Sequence, residues 1–145
     1  MPLRLEIITA ERVLFDDQVD AIVAPGGEGE LGVLPHHAAV MTTLKGGELR
    51  YRMASEETHF VIHGGFMDIQ GDHVVVLADA AEHVDEIDVA RAEEAIQRAQ
   101  ERIAARGTDV NLERALASLQ RATIRLRVTR RRRRQRPTST GAAPE

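Results

Sequence analysis

Gly26-Gly27-Glu28-Gly29-Glu30-Leu31-Gly32-Val33-Leu34-Pro35-His36-His37-Ala38 decides how this chain is read. Four glycines and a proline stand among acids and a short apolar run. Glycine reaches positive φ at no steric cost, so this density implies a tight backbone path. Pro35 fixes its own φ and pushes Leu34 towards an extended conformation. The plain reading is a sharp turn between two strands.

On either side of it the apolar residues keep strand spacing. Leu3, Leu5 and Ile7 alternate with Arg4 and Glu6, which predicts a strand with one wet face. Val13-Leu14-Phe15 and Ala21-Ile22-Val23 are short apolar runs, with Asp16-Asp17 between them read as a turn. The run from His37 to Leu44 is expected to close at Lys45-Gly46-Gly47, and Glu48 to Met53 alternates again. Thr58 to Ile62 is expected to stop at Gly64-Gly65, and Gly71-Asp72 is a hairpin signal before Val74 to Leu77. Short strands with glycine turns predict an antiparallel sandwich or barrel.

After Asp85 the period changes. Val89, Ala92, Ile96, Ala99 and Ile103 form a narrow helical stripe, with Asp88 as its N-cap. Gly107 marks the stop, and Thr108 or Asp109 the next start. Leu112, Leu116, Leu119, Ala122 and Leu126 form a second stripe, so an antiparallel hairpin is expected. Its alanine-rich seam buries little area and predicts a weak interface. The expected organisation is an N-terminal antiparallel β-sandwich over 1–86, a helical hairpin over 87–134, and a disordered tail over 135–145.

Charge divides at the same place. Residues 1–86 carry 16 acids and 5 bases, and residues 87–145 carry 7 acids and 14 bases. An acidic half and a basic half imply different partners or mutual attraction. Every base except Lys45 is arginine, whose planar fork suits carboxylates and phosphates. The run Arg130–Arg134, with Arg136, fits a nucleic-acid patch or a basic helix end seeking an acidic protein surface. No aromatic residue flanks it for base stacking. The absence of cysteine excludes disulfides and thiolate metal sites. No apolar run is long enough to span a bilayer, and the alternating N-terminus is unlike a signal peptide, so a soluble protein is expected.

Catalytic motifs are missing. The six histidines show no metal-ligand spacing, and there is no P-loop, nucleophile elbow or dinucleotide fingerprint. The helices are more informative. Asp88 and Arg91 share a face, Arg98 lies two turns beyond Arg91, and Arg121 and Arg125 are one turn apart. If the hairpin folds back, these guanidiniums can converge near Glu82 and Asp88. That arrangement suits a polyphosphate, with a carboxylate left for ribose or base. Ordinary solvated helix charge, paired to Glu93, Glu94 and Glu101, accounts for the same spacing.

Taken together, Gly27–Ala38, Leu44-Lys45-Gly46-Gly47, Val61–Phe66 and Ile87–Ala92 resemble the epsilon subunit of bacterial F-type ATP synthase. The resemblance runs from about Leu3 to Val128. It implies a non-catalytic central-stalk subunit that couples proton translocation to ATP synthesis. The sandwich would be held by the gamma subunit on the ring of c subunits, with Glu30 and His37 at those contacts. The basic second helix would reach the alpha and beta subunits and inhibit ATP hydrolysis when extended. No nucleic acid is implied, and the location would be peripheral, on the cytoplasmic face of the cell membrane. No tightly bound cofactor is implied. ATP would be a regulatory ligand at Glu82, Ile87, Asp88, Arg91, Ala92, Arg98, Arg121 and Arg125. Gly46 departs from the proline found in many members, and the arginine run exceeds the usual end of the second helix. A sandwich adaptor that binds acidic partners or nucleic acid through its arginine tail is the alternative.

Overall fold

The computed structural model describes residues 2–105 and 109–135. Eight strands come first: β1 Leu3–Ile8, β2 Val13–Val19, β3 Ala21–Gly26, β4 Gly29–Val33, β5 Val40–Met53, β6 Glu56–Gln70, β7 His73–Ala78 and β8 Ala81–His83. One 3-10 turn, Val84–Glu86, leads to helices α1 Val89–Ala104 and α2 Asp109–Gln135. Strand order is β2-β1-β7-β6-β5-β3-β4, with β8 also on β6. All ladders are antiparallel except β1 with β7, which is parallel.

The alternation in β1 faces the core, with Leu3, Leu5 and Ile7 fully buried. They pack with Ile22, Leu49, Ile62, Met67, Ile69, Val74 and Val76 in one cluster between the layers. The opening stretch makes the β3–β4 hairpin, where Gly26 pairs with Gly29 around Gly27-Glu28. Gly71, at φ 59°, makes the β6–β7 turn as expected.

Three expected breaks are instead inside strands. Asp16 and Asp17 continue β2, opposite Glu6 and Leu5. This is an edge strand, and solvated charge is common on edges. Lys45-Gly46-Gly47 continues β5, with Gly46 paired to His63 and Gly47 to Ile62. Gly64 and Gly65 continue β6 at φ 96° and 135°. A Cβ on Gly65 would lie 2.1 Å from the Leu77 carbonyl oxygen. Glycine here permits an irregular, close-packed strand rather than ending it. The long strands thus serve two neighbourhoods: β7 pairs with Gly65–Gln70 of β6, and β8 with Phe60–Ile62.

Asp88 caps α1, its carboxylate accepting from the N–H groups of Ala90 and Arg91 at 3.0 and 3.3 Å. The expected stripe faces inward, with Ala92 and Ala99 buried and Val89, Ile96 and Ile103 half-buried. The second stripe holds at Leu112 and Leu119, half-buried, and at Ala122 and Leu126, buried; it differs at one position, where Ala115 is buried and Leu116 is half exposed. Helix α2 packs on α1 and also on β5, β6 and the 3-10 turn. Its Ile124 and Val128 join Val61, Val84 and Ile87 in a second, smaller cluster. A Cβ on Gly46 would lie 2.5 Å from Ile124 Cδ1, so the glycine leaves a notch that the isoleucine fills. The helix link at Gly107 and Thr108, and the tail from Arg136, lie outside the described residues.

Candidate functional site

The site is a cleft where α2 crosses β6 and β8. Its walls come from His63, Ala80 and Glu82 on the sheet side, Ala95 on α1, and Ser118, Arg121, Ala122 and Arg125 on α2. The open volume is about 410 Å3. Register explains the sheet wall: Val61 pairs with Glu82, and the His63 N–H donates to the Ala80 carbonyl.

Glu82 organises the charge. Arg125 Nη2 donates to Glu82 Oε1 at 2.9 Å. Arg125 Nε lies 2.8 Å from Oε2, yet its N–H is not aimed well enough for a second hydrogen bond. The pair is therefore one hydrogen bond plus a close ion contact, not a full fork. His63 Nε2 lies 3.5 Å from Glu82 Oε2. The His63 hydrogen bond and the Arg125 guanidinium hold the Glu82 carboxyl below its ordinary value, outweighing partial burial. Arg121 Nη2 donates to Ser118 Oγ at 3.3 Å and is otherwise exposed.

The expected residues separate into two groups. Glu82, Arg121 and Arg125 converge on the cleft. Ile87, Asp88, Arg91, Ala92 and Arg98 do not line it. Ile87 is buried in the second cluster, and Ala92 is buried in the helix seam. Asp88 is committed to the cap, with Arg91 Nε 3.8 Å from its Oδ2. Arg98 Nε donates to the Glu94 carbonyl at 3.4 Å. Arg91 and Arg98 nevertheless flank Ala95, four residues before and three after, on the face that borders the cleft. The sequence reading missed His63, treating it as one more strand histidine. Its place just before Gly64-Gly65, across the ladder from the Glu82 strand, is visible only with the register known.

Glu30 and His37 lie elsewhere. Glu30 is in β4, exposed, and accepts from Arg50 Nη1 at 3.3 Å. His37 follows the Pro35-His36 turn, its Nδ1 2.7 Å from the Ala38 carbonyl oxygen. His36 takes φ 67°, and its N–H donates to Asp72 at 2.8 Å. No group of three His, Asp or Glu side chains suited to a metal ion occurs among the described residues.

Residues 2–84 match the ATP synthase delta/epsilon chain beta-sandwich domain, and residues 85–130 match the long alpha-helix domain of the same chains. The chain belongs to this family. Within it, the curated relatives are epsilon chains. The ATP synthase epsilon chain of Dehalococcoides mccartyi strain BAV1 is 49% identical over 132 residues, covering 90% of this chain and 94% of the relative. That of Desulforamulus reducens is 44% identical over 124 residues, covering 86% and 94%. ATP synthase epsilon chains are subunits of the synthase and are not catalytic by themselves. A chain of the Euglena gracilis mitochondrial ATP synthase, solved with its F1 and c-ring, shares the fold at TM-score 0.69 and 21% identity, covering 92% of this chain and 80% of that one. A chain of the Tetrahymena thermophila central stalk and c-ring does so at TM-score 0.57 and 15% identity, covering 91% and 96%. No helix among the described residues is long and apolar enough to cross a membrane.

Proposed function

We propose that this chain is the regulatory subunit of the synthase central stalk, seated on gamma and the c-ring through the sandwich. Proton translocation is coupled to ATP synthesis through that stalk, and the complex lies on the cytoplasmic face of the cell membrane. The hairpin is folded here, with α2 against the sheet. On this reading the folded form leaves hydrolysis free, and an extended α2 inhibits it by meeting the alpha and beta subunits. ATP favours the folded form by binding Arg91, Arg98, Arg121 and Arg125 across the two helices, with Glu82, Ile87, Asp88 and Ala92 shaping the site.

The observation that carries this reading is the Glu82–Arg125 pair in a cleft that Arg121 also borders. It ties the regulatory helix to the sandwich beside the α1 face that carries Arg91 and Arg98. A ligand bound only by the folded form shifts the balance by about 2.7 kcal/mol at 100 times its dissociation constant. That is comparable to the modest strength of an alanine-rich seam. Calorimetry on the isolated chain tests it. Losing a charge-assisted hydrogen bond costs ~1.5–3 kcal/mol, so Arg91→Ala and Arg125→Ala are each expected to weaken ATP binding about ten-fold or more. Lysine at Arg91 restores part of it. Absent binding, or equal binding by wild type and both alanine variants, overturns the ATP reading.

A further inference from the structure

Arg130, Arg131 and Arg132 are consecutive, which is the wrong spacing for reading one flat acidic surface. Neighbouring helical residues point about 100° apart, so three in a row leave α2 in three directions. A helix with such a run is fully partnered only where acids surround it. The folded chain supplies that surrounding. Arg130 Nη2 meets Glu93 of α1 at 2.8 Å. Arg131, one turn after Arg127, borders a second cleft of about 280 Å3 together with Glu30 and Glu48. Glu48 is buried there, and its Oε2 has no hydrogen-bond partner. Half-buried Arg132 borders a small cavity with Glu57, His83 and Asp85. Arg50, within 3.4 Å of Glu30, Glu48 and Glu57, and Lys45 and Arg127 in the second cleft offset part of this negative charge and leave the rest to the run.

We infer that the arginine run is a strap whose partners are this chain's own acids at three places around α2: Glu93 on α1, Glu30 and Glu48 on β4 and β5, and Glu57 and Asp85 on β6 and the 3-10 turn. In the folded form the strap holds α2 down and keeps the run away from any other acidic surface. The inference relies on the hairpin being able to leave the sandwich, as in the reading above, but not on ATP. Salt then acts as a release signal, since screening length falls from about 10 Å at 0.1 M to about 3 Å at 1 M.

Amide hydrogen exchange on the full-length isolated chain, without nucleotide or other subunits, tests this through the α2 residues 112–129. The wild-type α2 is expected to exchange faster at about 1 M than at about 0.05 M salt, while β1 and β7 stay protected. Replacing the three residues together (R130Q, R131Q and R132Q) keeps good helix formers in place. An exposed pair changes an equilibrium by a factor of about five at most, so the triple variant should exchange roughly ten-fold faster at low salt and lose its salt response. Charge exchange checks pairing against net charge. R130E and E93R each speed α2 exchange, and the two together bring it back towards wild type. A salt-independent wild type, a triple variant that matches wild type, or a double reversal no slower than its single variants overturns the strap. ATP calorimetry has a separate outcome, so either result can fail while the other stands.

Discussion

The sandwich and the hairpin are held by different means. The sandwich core is built from large side chains with essentially no exposed surface, Leu3, Leu5, Ile7, Leu49, Met67 and Ile69 among them, beneath a continuous ladder. The hairpin buries mainly alanines in its seam, where Arg130 also pairs with Glu93, and rests on the sheet through Ile124, Val128 and the Arg125–Glu82 ion pair. Each buried CH2 is worth about 0.8 kcal/mol, so an alanine seam holds far less than a leucine and isoleucine core. One region is a platform, and the other is fastened to it at separate points that can be undone one at a time.

The contrast can be broken at its strongest point first. Leu5→Ala, at a fully buried core position, is expected to cost ~2–5 kcal/mol in chemical denaturation followed by far-UV dichroism. The loss should fall on sheet and helices alike. A variant that released only the helices would mean that the platform does not depend on this core.

A smaller and selective effect is expected at the notch. Gly46→Ala puts a methyl against Ile124 Cδ1, and such overpacking costs ~1–3 kcal/mol. Hydrogen exchange should quicken in α2 and leave β1 and β7 unchanged. Adding Ile124→Val should recover part of the loss, because contacting sites are not additive. Equal loosening of sheet and helix would place Gly46 in the platform rather than the fastening.

The smallest effect is the acid sensitivity of the Glu82 link. Its carboxyl titrates below its ordinary value of 4.5 when folded. Such a group stabilises the folded form above the unfolded value and loses that contribution as pH falls through the folded one. Docking of α2 should therefore loosen on the acid side of 4.5, by about 1 kcal/mol or less for so partly exposed a pair. Glu82→Gln should show weaker docking at neutral pH and a smaller acid step. An identical acid step in that variant would assign the sensitivity to another group.

Much of this was legible in the sequence because two periods alternate cleanly. Leu3, Leu5 and Ile7 read as a strand, and Val89 to Ile103 as a helix face, from spacing alone. The glycine pairs misled, since Gly46-Gly47 and Gly64-Gly65 look like turns in one dimension. Whether a glycine ends a strand or makes room inside it depends on what approaches from another element, here Ile124 and the Leu77 carbonyl. Leu116 reads as a seam residue because it lies one helical turn after Leu112, as Ala115 also does. Close helix approach selects the smaller Ala115 instead. At the site, Glu82 with Arg121 and Arg125 followed from spacing and resemblance. His63 could not, since a ladder register is needed to set it beside Glu82.

One further property follows from how α2 is seated. Among the described residues, no main-chain hydrogen bond joins α2 to a strand or to α1. Every link is a side chain in a notch, a seam or an ion pair. Lifting the helix would therefore strip no peptide group of the strands or of α1 of its partner. The barrier to release is one of side-chain repacking and hydration rather than refolding. On the reading proposed above, a stalk that switches its hairpin between two positions would reset this element without rebuilding it.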